Sequence, residues 1–378
     1  MIRVKLLLCG VGFALAASSA PAPVAKTVVG VINWDCSLPS DTWFGRFATT
    51  ALSPAAFRHA TPYYADVKGP DRIDYHERTV EEYEREMQYA IDAGIDYFAY
   101  CWYGEQKEKG GPSVAEGVTD VCDRHVWELA TARQLHAKSR LRDRLGMCAI
   151  LVVLHPLADA ELESLARTMK ERWYQKVGER PLLYLYGGKG EGVLARLRRI
   201  CREVGAADPY VAVMGDRRLP AEGAEGVQAL SDYSVSVAGE GATHAKIVAK
   251  AIGGAEKRAG TGMSVIPTFS VGWDPSPRNV NPVPWCKYRP GPYAPFATEA
   301  ELLAGAKTLA DWIKAHRGNC PTGHILTFAW NEFEEGGWIC PTWRADGRPD
   351  TARLEAFRKV ADFWRRTLDG DINGRDAR

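Results

Sequence analysis

Apolar residues along the chain follow two alternating rhythms. Short, nearly continuous apolar runs occur at 28–34 (VVGVINW), 96–103 (DYFAYCWY), 147–154 (MCAILVVL), 182–186 (LLYLY), 210–215 (YVAVMG), 232–237 (DYSVSV), 264–273 (SVIPTFSVGW) and 324–330 (HILTFAW). Runs of this kind predict strands covered on both faces, as in a parallel sheet. Between them apolar residues recur at helical spacing. Val80, Tyr83, Met87 and Ile91 form one stripe, opened by a capping box of Thr79 and Glu82 and stopped by Gly94. Leu162, Leu165, Met169 and Trp173 form a second. Thr298 and Glu301 cap a helix that carries Leu302, Leu309 and Ile313 and stops at Gly318, and Leu354, Phe357, Ala361 and Trp364 mark a last one.

Eight strands alternating with helices predict one α/β domain, a single (β/α)8 TIM barrel with elaborated βα loops, over residues 21–370 with a frayed tail at 371–378. A doubly wound sheet, the alternative, more often carries a glycine-rich turn after its first strand. The sequence there is NWDCSLPSDTWFG, a long aromatic loop. In a barrel, chemistry collects where strands end. The residues at those ends are Trp34 and Asp35, Trp102 and Tyr103, His155, Tyr186, Asp216, Trp273 and Asp274, and Trp330 to Glu335. That set is aromatic and acidic with almost no lysine, a lining suited to the apolar faces of sugar rings.

Composition narrows the partners. A formal net charge of +1 and no long basic run argue against nucleic acid or an anionic membrane surface. The start, MIRVKLLLCGVGFALAASSAPAP, has a basic end, a short apolar run and small residues around Ala17 to Ala20. It reads as a signal peptide over 1–20, too short to span a membrane, and it predicts a secreted or periplasmic protein. Cysteines at 36, 101, 122, 148, 201, 286, 320 and 340 would then occupy an oxidising compartment, with no zinc-type spacing among them. Cys36, just after the first predicted strand, and Cys101, toward the end of the second, are the candidate bridge. GGKGEG at 187–192 lacks the lysine and hydroxyl of a phosphate loop, CDRH at 122–125 is isolated, and no HExxH or GxSxG occurs, so no metal and no cofactor is expected. The expected state is a monomer.

The stretch TFAWNEFEEGGW, 327–338, ends the eighth strand with three glutamates. Hydrolysis of a glycosidic bond needs one protonated carboxyl and a second carboxylate, with environments that push their pKa values apart. Glu332 and Glu335 would converge across a turn that Gly336 and Gly337 make easy. A solvated acidic loop is the other reading of the same pattern, and Glu334 is expected to face solvent or to support the pair from behind. Asn331 either binds a sugar hydroxyl or forms the turn.

Four blocks in order resemble glycoside hydrolase family 99 and the family 99-like (WbsX-type) proteins, which are related to endo-α-mannosidases. They are TPYYADVKGP with MQYAIDAGIDYFAYCWYGE, then YQKVGERPLLYLYG, VIPTFSVGWDPSPR and ILTFAWNEFEEGGW, spanning roughly 28 to 340. The resemblance implies a metal-independent, retaining glycosidase acting inside an α-mannoside-like poly- or oligosaccharide. It implies Glu335 as general acid/base and Glu332 as the group that polarises the sugar 2-hydroxyl for attack on the anomeric carbon. It places Trp102, Tyr103, Trp273, Asp274, Arg278 and Asn331 at the sugar subsites. Tyr63, Tyr64, Trp34, Asp35, Tyr186, Trp330 and Trp338, from the same blocks and strand ends, join the expected lining. A departure from the family follows the third strand, where a Trp/Asn-rich stretch gives way to LVVLHPLADAE and His155 is expected to replace part of that wall. The rival functions are a non-catalytic carbohydrate-binding protein on the same scaffold and a glycosyltransferase, a name often attached to the WbsX-type group.

Overall fold

A computed structural model describes residues 25–35, 37–103, 131–153, 157–187, 191–215, 226–288, 290–294 and 296–373. The expected signal peptide, Cys36, His155 and Asp216 lie outside the described residues. Parallel strands β1 (Val28–Asn33), β2 (Tyr97–Trp102), β3 (Gly146–Val152), β4 (Arg180–Tyr186), β5 (Tyr210–Met214), β6 (Ala229–Ser231), β7 (Ser264–Val265), β8 (Thr268–Ser270) and β9 (His324–Phe328) form one curled sheet. Their spatial order is β7-β6-β5-β4-β3-β2-β1-β9-β8. The helices are α1 (Trp43–Leu52), α2 (Val80–Asp92), α3 (Ala132–Lys138), α4 (Asp159–Thr168), α5 (Glu191–Val204), α6 (His244–Ala259), α7 (Ser276–Val280), α8 (Glu299–Ala315) and α9 (Ala352–Asn373), of which α1 and α7 lie at the strand ends beside the turn at 333–335. Among the described residues no helix is long and apolar enough to cross a membrane.

The strands form where apolar runs can be buried on both faces. Every residue of β2 and of β9 is buried. Gly30 shows how tightly the inner layer is packed. A Cβ there would stand 2.0 Å from the Tyr97 ring on β2, so the glycine makes room for Tyr97, whose hydroxyl hydrogen-bonds that of Tyr184 on β4 at 2.9 Å. The capping boxes at Thr79 and Thr298 form as the sequence predicts, and Gly94 takes a positive φ of 75° after α2.

Five expectations are corrected. The sixth strand is not 232–237 but Ala229–Ser231. Beyond Ser231 the chain is drawn away by side chains, since Asp232 pairs with Arg258 at 2.7 Å and its backbone bonds the Thr268 hydroxyl. The seventh run breaks into β7 and β8 at Ile266–Pro267, where proline has no N–H to give. Backbone bonds still leave this run on both sides, from Ile266 N to Leu230 O and from Leu326 N to Pro267 O. The aromatic loop after β1 contains α1, because Thr42 accepts a bond from Gly45 N and caps it. Helix α8 ends at Ala315, three residues before Gly318, and a 3-10 turn at Arg317–Asn319 follows. Helix α9 continues through Asn373, into the stretch expected to be a tail.

Candidate active site

After β9 the chain makes a tight hairpin, β10 (Asn331–Glu332) pairing antiparallel with β11 (Gly337–Trp338) around a 3-10 turn at Phe333–Glu335. Gly336 closes the turn with φ 75°, and a Cβ there would meet the Asp274 backbone nitrogen at 2.3 Å. That nitrogen donates to Glu335 O at 2.7 Å, so the loop after β8 pins the backbone of Glu335. Asn331 fixes the other arm. Its Oδ1 accepts from Trp34 N at 2.7 Å, and its amide nitrogen donates to Asn33 Oδ1, Trp34 O and Ser37 Oγ.

The hairpin brings Glu332 and Glu335 to one cavity of about 390 Å³. Its other described walls are Trp34, Phe44, Tyr103, Val152, Tyr186, Tyr233, Arg278, Pro284, Trp285, Cys286 and Tyr288. Trp34, Tyr103, Val152, Tyr186, Tyr233 and Glu332 stand at or just past the C-terminal ends of parallel strands. Aromatic rings dominate the lining. Tyr186 lies over Tyr233 at 4.8 Å, and Trp285 packs among Trp34, Trp43, Phe44 and Phe47 at 5.1–6.1 Å.

Arg278 is the positive charge among these described walls. Its Nη1 donates to Glu335 Oε1 and, at 2.9 Å, to the Tyr288 hydroxyl. Tyr288 itself donates to the same Glu335 oxygen at 2.5 Å. Nη2 stands 3.8 Å from Glu332 and 3.6 Å from Glu334. The guanidinium also faces the rings of Trp34 and Trp285, each at 5.6 Å. Burial works against its charge, but the three carboxylates outweigh burial and hold its pKa well above the ordinary value. Glu332 accepts from the Tyr233 hydroxyl at 2.6 Å. Burial first, and then the charge of Glu335, push the Glu332 carboxyl up to about 8. Burial likewise raises Glu334 to about 7. Glu334 is only 2 % exposed, so of the two roles expected for it the solvent-facing one is excluded.

Of the expected sugar-contacting residues, Trp34, Tyr103, Tyr186 and Arg278 line the cavity with the two glutamates, and nine do not. Asp35 is buried against Arg133, whose guanidinium covers the Trp102 ring at 4.4 Å and so occupies both expected residues. Burial raises the Asp35 pKa in spite of Arg133. Tyr63 stacks edge-on between Tyr64 and Tyr89, and Tyr64 lies behind the hairpin against Phe333 with Arg78 over its ring. Trp273 backs Tyr288 at 5.9 Å rather than reaching the cavity, and Asp274, also away from it, accepts from Ser276 N and Oγ at its Oδ1. Trp330 is fully buried with its Nε1 donating to Glu86, which also pairs with Arg78 at 2.6 Å. Trp338 lies beneath Arg353 and beside Phe296. Asn331 has its amide bonds satisfied inside the protein, as described above.

Sequence reasoning missed Tyr233, Phe44, Val152 and the segment bearing Pro284, Trp285, Cys286 and Tyr288. Placing the sixth strand at 232–237 put Tyr233 inside it, hiding a residue that in fact follows a strand end. The aromatic pair in PVPWCKY, embedded in prolines directly after the GWDPSPR block, was the available signal for the loop.

Among the described residues no group of three or more His, Cys, Asp and Glu side chains is arranged to hold a metal ion. Cys101 contacts the Tyr233 hydroxyl at 3.2 Å, and its expected partner Cys36 is outside the described residues.

No protein-family model matches the sequence, and no curated protein matches it either. Solved structures do match. One is the family 99 glycoside hydrolase endo-α-mannosidase from Bacteroides thetaiotaomicron in complex with bis-tris-propane, with TM-score 0.54, 13% identity, and 91% of this chain and 99% of that one covered. Another is a glycoside hydrolase-like protein with TM-score 0.53, 14% identity and coverage of 91% and 97%. A second structure of the Bacteroides endo-α-mannosidase gives TM-score 0.51 at 14% identity, with 91% and 99% covered. Over nine-tenths of its length, this chain therefore has a fold similar to that of the family 99 glycoside hydrolases.

Proposed function

We propose that the chain is a glycoside hydrolase that cleaves glycosidic bonds in a poly- or oligosaccharide, with Glu332 and Glu335 as its two working carboxyls. One observation carries this reading: two buried glutamates three residues apart face the same aromatic-walled cavity in different electrostatic environments. Glu335 is bonded to a guanidinium and a phenol, whereas Glu332 is bonded to a phenol alone. Hydrolysis with an acid and a base needs such an asymmetric pair.

In this reading the chain run 264–270, bonded to strands on both sides, closes the sheet into a (β/α)8 barrel, and residues 1–20 direct export. The product keeps its anomeric configuration, because the sugar 2-hydroxyl attacks first and water then opens the intermediate. An α-mannoside-like, internally cleaved substrate is the first choice, by likeness of fold and of sequence blocks. A screen of the purified protein against plant, algal and microbial polysaccharides, with the first-formed anomer read by NMR, tests it. Sugar release with retention is expected. Glycan binding with no released sugar across the panel would replace the hydrolase by a carbohydrate-binding protein.

A further inference from the structure

Backbone groups leave the side-chain amide of Asn331 one orientation. Trp34 N can only donate, and it donates to Asn331 Oδ1 at 2.7 Å; Trp34 O can only accept, and it accepts from Asn331 Nδ2 at 3.0 Å. That orientation propagates inward. Asn331 Nδ2 also donates to Asn33 Oδ1 at 3.1 Å, so Asn33, at the end of β1, turns its own Nδ2 to the Tyr83 hydroxyl of α2 at 3.3 Å. The Tyr83 oxygen accepts that bond and passes its own proton toward the Tyr100 oxygen of β2, 2.5 Å away. Tyr100 in turn donates to His136 Nδ1 of α3 at 3.0 Å, and His136 Nε2 donates to Leu145 O at 2.9 Å.

The far end demands the same direction as the near one. Leu145 O is a backbone carbonyl and only accepts, so the proton of a neutral imidazole sits on Nε2 and Nδ1 is left to accept. Burial pushes His136 down to about 3 and raises Tyr83 and Tyr100 well above the usual phenol range. The imidazole is therefore neutral and both phenols keep their protons. A protonated His136 would reverse the Tyr100 bond. The Tyr83 hydroxyl, already receiving Asn33 Nδ2, would then have no acceptor along the chain, and a stranded buried donor costs more than a hydrogen bond contributes on balance. All five side chains are buried and none of them lines the cavity.

We infer that His136 is a positioning residue for Glu332: from α3 it fixes the direction of a hydrogen-bond chain through Tyr100, Tyr83 and Asn33 that ends on Asn331. Asn331 precedes Glu332 in the hairpin, and the Trp34 backbone it holds belongs to a cavity wall. The chain thus sets the seam between that wall and Glu332 from side chains that never meet the substrate. Its effect on turnover rests on the hydrolase reading above, whereas the chain itself does not.

Nitrogen-15 NMR tests the chain in the protein without substrate. The unmodified protein is expected to show His136 with a protonated Nε2 and a bare Nδ1 at neutral pH. A protonated Nδ1, whether in the other tautomer or in an imidazolium, would overturn the inference. Y100F and Y83F each cut the chain by removing a hydroxyl while keeping the ring and its packing. In both the Asn331 side-chain amide signal is expected to move, although Tyr83 and Tyr100 do not touch Asn331. A signal that stays in place in a folded variant would reduce the five residues to separate packing contacts. On the best polysaccharide of the screen, each variant is expected to lower kcat by roughly ten- to a hundredfold, the range that a small misplacement of a reacting group produces, with KM unchanged. Unchanged kcat in both folded variants would also overturn the positioning role. The nitrogen-15 signals need no turnover, so a protein that releases no sugar defeats the hydrolase reading and leaves the chain to be judged by its spectrum.

Discussion

Replacing Glu332 by glutamine should make the protein more stable at alkaline pH, and the size of the gain follows from burial. The side chain is 3 % exposed and its carboxyl pKa lies near 8 rather than the ordinary 4.5. Between those values the unfolded chain has released this proton and the folded protein still holds it. Stability therefore falls as pH rises through that window and levels off above it. The window spans about 3.5 pH units, and at about 1.36 kcal/mol per unit it sets a ceiling of about 5 kcal/mol. A glutamine side chain is close in shape to the protonated acid and cannot ionise. Urea unfolding followed by tryptophan fluorescence should give the two proteins the same stability near pH 5. By pH 9 E332Q should be ahead by a few kcal/mol. Curves that stay parallel from pH 5 to 9 would refute the argument, because Glu332 would then titrate alike in both states.

Other consequences follow from particular contacts. G336A must place a Cβ against the Asp274 backbone at positive φ, so it should cost roughly 2 kcal/mol or more and cut turnover by displacing Glu335, measured by urea midpoint and initial rate. E86A removes the partner of the buried Arg78 and the acceptor of Trp330, and should cost about 3–5 kcal/mol in the same unfolding assay. W285A takes one ring from the cavity wall and should raise KM roughly three- to tenfold with little change in kcat. Prolonged dialysis against EDTA should leave sugar release unchanged, since catalysis is assigned to carboxyls and not to a metal.

Much of the order of strands and helices was legible because most strand runs are continuously apolar and helices α2 and α8 carry capping boxes in their own sequence. Those are local signals. The errors came where a distant group decides the outcome. Ser231 ends its strand because Arg258 and Thr268 capture Asp232, and nothing within 229–237 announces those partners. The same limit applies to the site. The hairpin and the convergence of Glu332 with Glu335 could be read from EFEEGG, since glycines and spacing are local. Asn331 and Trp330 stand at the expected strand end, but their polar atoms are engaged by Trp34 and Glu86 inside the protein, so position alone does not bring them to the cavity. Tyr233 and Tyr288, which donate to the two glutamates, arrive from loops whose paths depend on tertiary packing.

Sugar release by E332Q and E335Q beside the unmodified protein, on the best polysaccharide of the screen and with matched circular dichroism, tests the central claim most directly. Each variant is expected to lose nearly all turnover on the polysaccharide while keeping the fold. Near-normal release by either folded variant would contradict the assignment of that residue to the chemistry.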